Sequence, residues 1–173
     1  MRKTISIGKQ SFSSLREHDN FFVDKTNFIK EWWEKEDDIT LIARPRRFGK
    51  TLNMSMLECF FSNKYANRAD LFEGLSIWEE EKYRQLQGTY PVIFLSFASV
   101  ADNLTEAKIQ IKQEIAVLYE ENRYLLKKDI LSDNERKLYN RTTEQMDDTT
   151  AQKAIRNMAA WMHRYYGKNV IIL

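Results

Sequence analysis

The chain is poor in residues that cross-link, coordinate or interrupt a fold: its 173 residues include one cysteine, two prolines, five glycines and two histidines. A single cysteine, Cys59, excludes an internal disulfide and gives no sign of secretion, so the cytosol is the default location. His18 and His163 are too few and too far apart in sequence to indicate a histidine metal centre. Pro45 and Pro91 are the only prolines, so no proline-rich linker divides the chain.

Long apolar runs and an excess of one charge are also missing. No run approaches the roughly 18 apolar residues that span a bilayer, and the N-terminus lacks a signal-peptide core, so no membrane partner is expected. The net charge is +2, from 27 basic and 25 acidic side chains, so no field of the whole chain favours nucleic acid. A hydrophobic fraction of 43% in 173 residues predicts that residues 1–173 form a single globular domain.

Three apolar runs predict an α/β fold with a parallel sheet. They occupy residues 39–43, 92–97 and 169–173, and each has few polar interruptions, as in strands that are buried on both faces. Helical sequence separates each run from the next, which favours parallel strands joined by crossovers over hairpins. The roughly seventy residues between the second and third runs exceed one crossover helix, so they predict a helical insertion.

Local signals mark where the helices begin and end. Asp24 and Asn103 are predicted to cap helices with apolar faces, and Ser132 with Glu135 three residues later predicts a capping box. Gly167 is predicted to end the last helix, directly before the third apolar run. Residues 70–88 are predicted to form short helical pieces on the surface of the core.

Gly49, Lys50 and Thr51 carry the clearest chemical signal in the sequence. They stand between the apolar run 39–43 and a helix-like stretch at 52–61. Strand, turn, Gly-Lys-Thr and helix is the order of a phosphate-binding loop, in which backbone N–H groups and a helix N-terminus face an anion. The consensus is matched incompletely, because Arg44 stands where the first glycine of the loop is expected.

Each residue of such a loop has a distinct role toward ATP. Gly49 would let the backbone approach the phosphates, Lys50 would lie against the β- and γ-phosphates, and the Thr51 hydroxyl would bind Mg²⁺. Arg46 and Arg47 would either add phosphate contacts or serve a partner surface. The predicted cofactor-binding residues are therefore Arg46, Arg47, Phe48, Gly49, Lys50 and Thr51, and Thr51 is the predicted metal ligand.

The same segment admits a second interpretation. Arg44, Arg46, Arg47 and Lys50 place four cations within seven residues. A non-catalytic module could use this basic loop, residues 44–50, to hold a nucleic acid backbone or a protein partner, and nucleic acid binding would then fall steeply with salt. Gly-Lys followed by Ser or Thr arises by chance in about one chain of this length in ten, so its placement after an apolar run and before a helix is the stronger observation.

Further segments match a known pattern along nearly the whole chain. They are Phe-Val-Asp-Lys-Thr at 22–26, Arg-Pro-Arg-Arg-Phe-Gly-Lys-Thr at 44–51, Leu-Phe-Glu-Gly-Leu at 71–75, Tyr-Pro-Val-Ile-Phe-Leu-Ser-Phe at 90–97 and Tyr-Gly-Lys-Asn-Val-Ile-Ile-Leu at 166–173. In this combination the chain resembles the predicted AAA-ATPase-like family of bacterial proteins. The Arg-Pro-Arg-Arg-Phe-Gly-Lys-Ser/Thr loop is usual in that family, so Arg44 agrees with the family pattern.

The resemblance implies a bacterial ATPase domain with a three-layer P-loop core that binds ATP and Mg²⁺. It also implies that the run 169–173 is the Walker B strand, whose acidic residues would follow Leu173. The chain is therefore expected to be truncated at that strand, and its own hydrolysis to be weak or absent, because those acids hold Mg²⁺ and orient water. Family members often carry a C-terminal nuclease-like domain, which is an expected partner in the parent protein.

Overall fold

A computed structural model describes residues 4–5, 8–43, 45, 48–97 and 103–173. The chain divides into two compact units, Met1–Val92 and Ile93–Leu173. The described residues are mostly helical and contain a parallel sheet of two short strands, which is compatible with an α/β fold. The three-layer P-loop core and the single domain stay predictions. No helix in these ranges is both long enough and apolar enough to cross a membrane.

The first unit is built from short helices. Its α-helices are α1 (Phe12–Glu17), α2 (Asn27–Glu34), α3 (Lys50–Phe61) and α4 (Glu81–Leu86), and its 3-10 helices are Asn63–Tyr65, Ala69–Leu71 and Ser76–Glu79. The predicted short helical pieces in 70–88 are therefore confirmed. α3 begins two residues before the predicted stretch at 52–61, so Lys50 and Thr51 belong to the helix itself.

Aromatic rings fill the core of the first unit and fix the C-terminal half of α3. Phe72 packs on Phe12 and Phe60 with ring centroids 5.2 and 5.1 Å apart, and Phe61 packs on Trp33 at 5.2 Å. Buried aromatic side chains contribute large apolar areas, so they dominate the packing energy of a small core. The end of α3 is therefore held firmly, while its N-terminus reaches the surface.

A helical insertion makes up most of the second unit. It contains α5 (Leu104–Glu121), a 3-10 helix at Arg123–Lys127, α6 (Asp133–Arg141) and α7 (Asp148–Tyr166), which lie between β1 (Val92–Ile93) and β2 (Ile171–Ile172) in sequence. The Leu173 amide donates to the carbonyl of Ile93 at 2.8 Å, and the Leu95 amide donates to Leu173 at 2.9 Å. The predicted parallel pairing of the second and third runs is thus confirmed, although each strand is only two residues long.

Most predicted helix ends are confirmed by their hydrogen bonds. The Asn103 side chain accepts from the Thr105 amide, and Ser132 and Glu135 form the reciprocal bonds of a capping box. Gly167 ends α7 in the left-handed conformation, with φ of +64°.

The predicted strand at 39–43 is wrong. These residues have irregular backbone, and the side chains of Ile39 and Leu41 are each 89% exposed. A strand is stabilised by hydrogen bonds to a neighbouring strand, and no segment in the described ranges pairs with this run. A side-chain hydrogen bond connects this segment to α2: Trp32 Nε1 donates to Thr40 Oγ1 at 3.1 Å.

Candidate functional site

The N-terminus of α3 is the centre of the candidate site. Gly49 is the N-cap residue and has φ of +74° and ψ of 19°, a left-handed conformation that favours glycine. In the part of the chain that the structure describes, a Cβ built on Gly49 would meet no atom within 4 Å. The first N–H groups of a helix lack an intrahelical acceptor, and the N-cap Gly49 has no side chain with which to cap them. These amides and the helix dipole make the turn suitable for an anion.

The predicted site residues that the structure describes surround this turn. Lys50 is the first residue of α3, and its ammonium donates to the Pro45 carbonyl at 3.0 Å on the surface. Thr51 follows and is half-buried, while the ring of Phe48 is 63% exposed. Arg44, Arg46 and Arg47 lie outside the described residues, so their contribution to the site stays a prediction.

A cavity of about 500 Å³ adjoins the turn. Its wall combines two lysines, two phenylalanines, one isoleucine and three other polar or charged side chains: Lys25, Asn27, Phe28, Glu31, Ile42, Phe48, Lys50 and Asn53. The volume lies within the range of small-molecule sites, which usually combine apolar side chains with polar groups that fix the orientation of the ligand. The candidate site is thus formed by the α3 N-terminus together with the start of α2.

The start of α2 is fixed by a carboxylate that joins two segments of the first unit. Asp24 Oδ1 accepts from the amide and hydroxyl of Thr26 at 2.8 and 2.7 Å, and Oδ2 accepts from the amide and hydroxyl of Ser76, both at 2.7 Å. The prediction that Asp24 caps the helix is therefore wrong in detail. The N-cap is Thr26, and the Asp24 carboxylate lies two residues before it, where it accepts hydrogen bonds from both Thr26 and Ser76.

The Asp24 bonds predict a pH-dependent contribution to stability. Partial burial alone raises the pKa of Asp24, but the hydrogen bonds from Ser76 and Thr26 outweigh it and lower the pKa from 3.8 to about 2. Because the pKa is lower in the folded state, the contribution is present above pH 4 and is lost as the pH falls toward 2. After discounting for solvent exposure, we expect Asp24→Asn to cost about 1 kcal/mol at pH 7.

Urea unfolding of the wild type and Asp24→Asn between pH 2 and 7 tests this expectation. The two free energies of unfolding should converge as the pH falls from 4 toward 2, because the Asp24 carboxylate is then protonated in the folded wild type as well. A gap between wild type and Asp24→Asn that stays constant with pH would contradict the role given to the carboxylate.

The second unit contains another cavity, of about 390 Å³, lined by residues of α5 and α6 and the loop after α6. Its wall includes Glu120 and Arg123, whose side chains bind each other at 3.0 Å. Because these two side chains neutralise each other's charge, this cavity is less suited to bind a phosphate than the cavity beside Lys50.

Sequence reasoning missed several residues of the site. Lys25, Phe28, Glu31 and Asn53 line the cavity, yet the sequence pattern marks only Phe28, as part of an apolar helix face. The available signal was weak: Lys25 lies in the segment 22–26 that carries part of the family resemblance. The local sequence pattern does not predict that this segment lies beside Lys50. Lys25 and Lys50 are 25 positions apart, and only the tertiary structure brings them to one cavity.

Comparisons with known proteins bear on this site. The model of the family described as "Predicted AAA-ATPase" matches residues 6–173. A protein of Azotobacter chroococcum mcd 1, described as an uncharacterized protein in the vnfD 5' region, is 35% identical over 97 residues. That match covers 56% of this chain and only 17% of the length of the relative. No solved structure matches the chain.

Proposed function

Because the chain belongs to the predicted AAA-ATPase family, we propose that it binds ATP at the N-terminus of α3. The observation that best supports this function is the left-handed Gly49 at the start of α3, where no described atom lies within 4 Å of an added Cβ and Lys50 is next in the helix. In the whole protein, hydrolysis would be converted into a conformational signal to an attached or associated domain. A nuclease-like domain would be one such partner.

The phosphate tail would be held by main-chain and side-chain groups of the turn. Amides of residues 47–51 would donate to the β-phosphate, and Lys50 would leave the Pro45 carbonyl to contact the β- and γ-phosphates. Arg46 and Arg47 would add charge. These groups belong to the turn and the helix, so the absence of a strand at 39–43 does not remove them.

The oxygen ligand available at this site is also suitable for Mg²⁺ that binds together with the nucleotide. The Thr51 hydroxyl is a hard oxygen at the second position of the helix, and Mg²⁺ usually combines one or two protein oxygens with phosphate oxygens and water. Within the described ranges, no three His, Cys, Asp or Glu side chains could form a separate metal site. When bound, the ion would neutralise charge on the phosphates, and this chain's residues would orient them.

The alternative is a module that uses the basic loop, residues 44–50, for nucleic acid or a protein partner. Three of its four cations, Arg44, Arg46 and Arg47, lie outside the described residues, so this alternative stays a prediction of the sequence. The cavity beside Lys50 has instead the size of a small-molecule site and two phenylalanines in its wall. Both features favour a nucleotide over a polymer.

Two matched glycine variants test the proposed function. Gly49→Ala and Gly74→Ala both place a side chain at φ near +75° with no atom of the described residues within 4 Å, so their costs in stability should be similar. Mg-ATP at about 100 times its Kd should raise the Tm of wild type and Gly74→Ala by about 5–10 °C. Gly49→Ala should respond much less, because its methyl group would meet the phosphate. Differential scanning calorimetry provides the measurement.

An unchanged Tm of the wild type in Mg-ATP would overturn the proposed function, as would a full response of Gly49→Ala. The same samples distinguish the alternative by titration with single-stranded DNA. Binding that needs no ATP, survives Gly49→Ala and falls steeply with salt would favour the basic-loop module.

A further inference from the structure

We propose that Lys25 is a second phosphate-binding side chain of this site and contacts the phosphate tail of the nucleotide together with Lys50. This inference rests on the proposed function of the α3 N-terminus. The geometry behind it is one cavity lined by two lysines from different parts of the chain: Lys25 lies two residues before α2, and Lys50 begins α3.

The charges of the cavity wall favour an anion. Lys25 and Lys50 contribute two positive charges, and Glu31 of α2 contributes one negative charge to the same wall. The balance is positive, which suits a polyphosphate and disfavours a cationic ligand. A triphosphate remains anionic with one lysine and one Mg²⁺ beside it, so a second ammonium in the same wall would still find charge to neutralise.

The backbone around Lys25 is held in place before any ligand binds. Thr26 is completely buried, and its hydroxyl accepts from the Ile77 amide at 3.1 Å. Asp24, on the other side, is bound to Ser76 through both an amide and a hydroxyl. The Lys25 carbonyl accepts from the Phe28 amide at 2.9 Å. Only the Lys25 side chain would have to become ordered on binding, which reduces the entropic cost of the contact.

The phenylalanines of the wall are compatible with the same ligand. Phe28 follows Lys25 by less than one helical turn, and Phe48 directly precedes Gly49. Two lysines with apolar rings beside them match a nucleotide, which has an anionic tail and a flat apolar base. An inorganic phosphate would use the lysines alone.

Substitution of Lys25 should lower the affinity for nucleotides that have a β-phosphate more than the affinity for AMP. With Mg²⁺ present, we expect Lys25→Met to weaken ATP and ADP about tenfold and AMP less than about threefold, because the loss is one charge-assisted contact to the tail. Lys25→Arg should retain most of the affinity for ATP. Competition against a fluorescent ATP analogue measures all three nucleotides, and the Tm without nucleotide verifies that each variant is folded.

Lys35→Met and Lys50→Met separate failure of this inference from failure of the proposed function. Lys35 is an exposed lysine at the other end of α2 and does not line the cavity, so its variant should bind like the wild type. If Lys50→Met loses ATP while Lys25→Met matches Lys35→Met, the role of Lys25 is overturned and the proposed function stands. If neither Lys50→Met nor Lys25→Met loses affinity, both fail. An equal loss of ATP and AMP in Lys25→Met would overturn the phosphate contact.

Discussion

Replacing Lys50 with methionine should lower the affinity for Mg-ATP by about a hundredfold. The ammonium group would make charge-assisted hydrogen bonds to the β- and γ-phosphates, which are stronger than bonds between neutral groups. Methionine keeps most of the length and volume of the side chain, so the change removes the charge with little change in packing. The bond that Lys50 now donates to Pro45 is exposed, and losing it should have little effect on stability.

Isothermal titration calorimetry of the wild type, Lys50→Met and Lys35→Met provides the comparison. Lys35→Met removes a lysine from the same unit and should bind ATP like the wild type, which controls for the loss of one positive charge. Equal affinities of the wild type and Lys50→Met would show that the α3 N-terminus does not hold the phosphates. Both variants should unfold at nearly the same urea concentration as the wild type.

Gly88→Ala should have the largest effect on stability, at least about 3 kcal/mol. Gly88 has φ of +69°, and an added Cβ would lie 2.4 Å from the Cα and 2.9 Å from the amide nitrogen of Ala66. Both contacts are with backbone atoms, so no side chain can rotate to relieve them. The segment would have to move away from α3, where the Gly88 amide donates to the Phe60 carbonyl at 2.7 Å and the Tyr90 amide donates to Phe61 at 2.9 Å.

Gly74→Ala is the matched control for this variant. Gly74 has φ of +75° and nothing within 4 Å of an added Cβ, so its substitution costs only the left-handed conformation, about 1 kcal/mol. Urea unfolding should therefore separate the two alanine variants by about 2 kcal/mol or more. Equal midpoints would mean that the contact between Gly88 and Ala66 is not tight in solution. The result matters for the site, because this contact helps to fix the C-terminal end of α3.

Local features of the fold could be predicted from the sequence because local interactions determine them. The capping bonds of Asn103 and Ser132 join residues two or three positions apart, and Gly167 ends its helix through its own φ. The runs 92–97 and 169–173 do contain strands, although these strands are shorter than predicted. The run 39–43 does not, since its apolar composition says nothing about whether another strand lies beside it.

The candidate site divides in the same way between local and non-local information. Gly49, Lys50 and Thr51 are contiguous, so a motif in the sequence is enough to reveal them. Lys25 could not be recognised in this manner, because its place in the cavity depends on the bonds of Asp24 and Thr26 to Ser76 and Ile77. Arg46 and Arg47 remain predictions of the motif alone.

Backbone amide shifts test the central claim, that the start of α3 holds a nucleotide phosphate tail, most directly. Proton–nitrogen correlation spectra of the labelled protein would be recorded during titration with Mg-ATP. We predict that the largest shifts occur at the amides of Gly49, Lys50 and Thr51, because new hydrogen bonds to phosphate oxygens move amide protons strongly. Saturable shifts that leave these three amides unchanged and cluster in Ile93–Leu173 would contradict the claim.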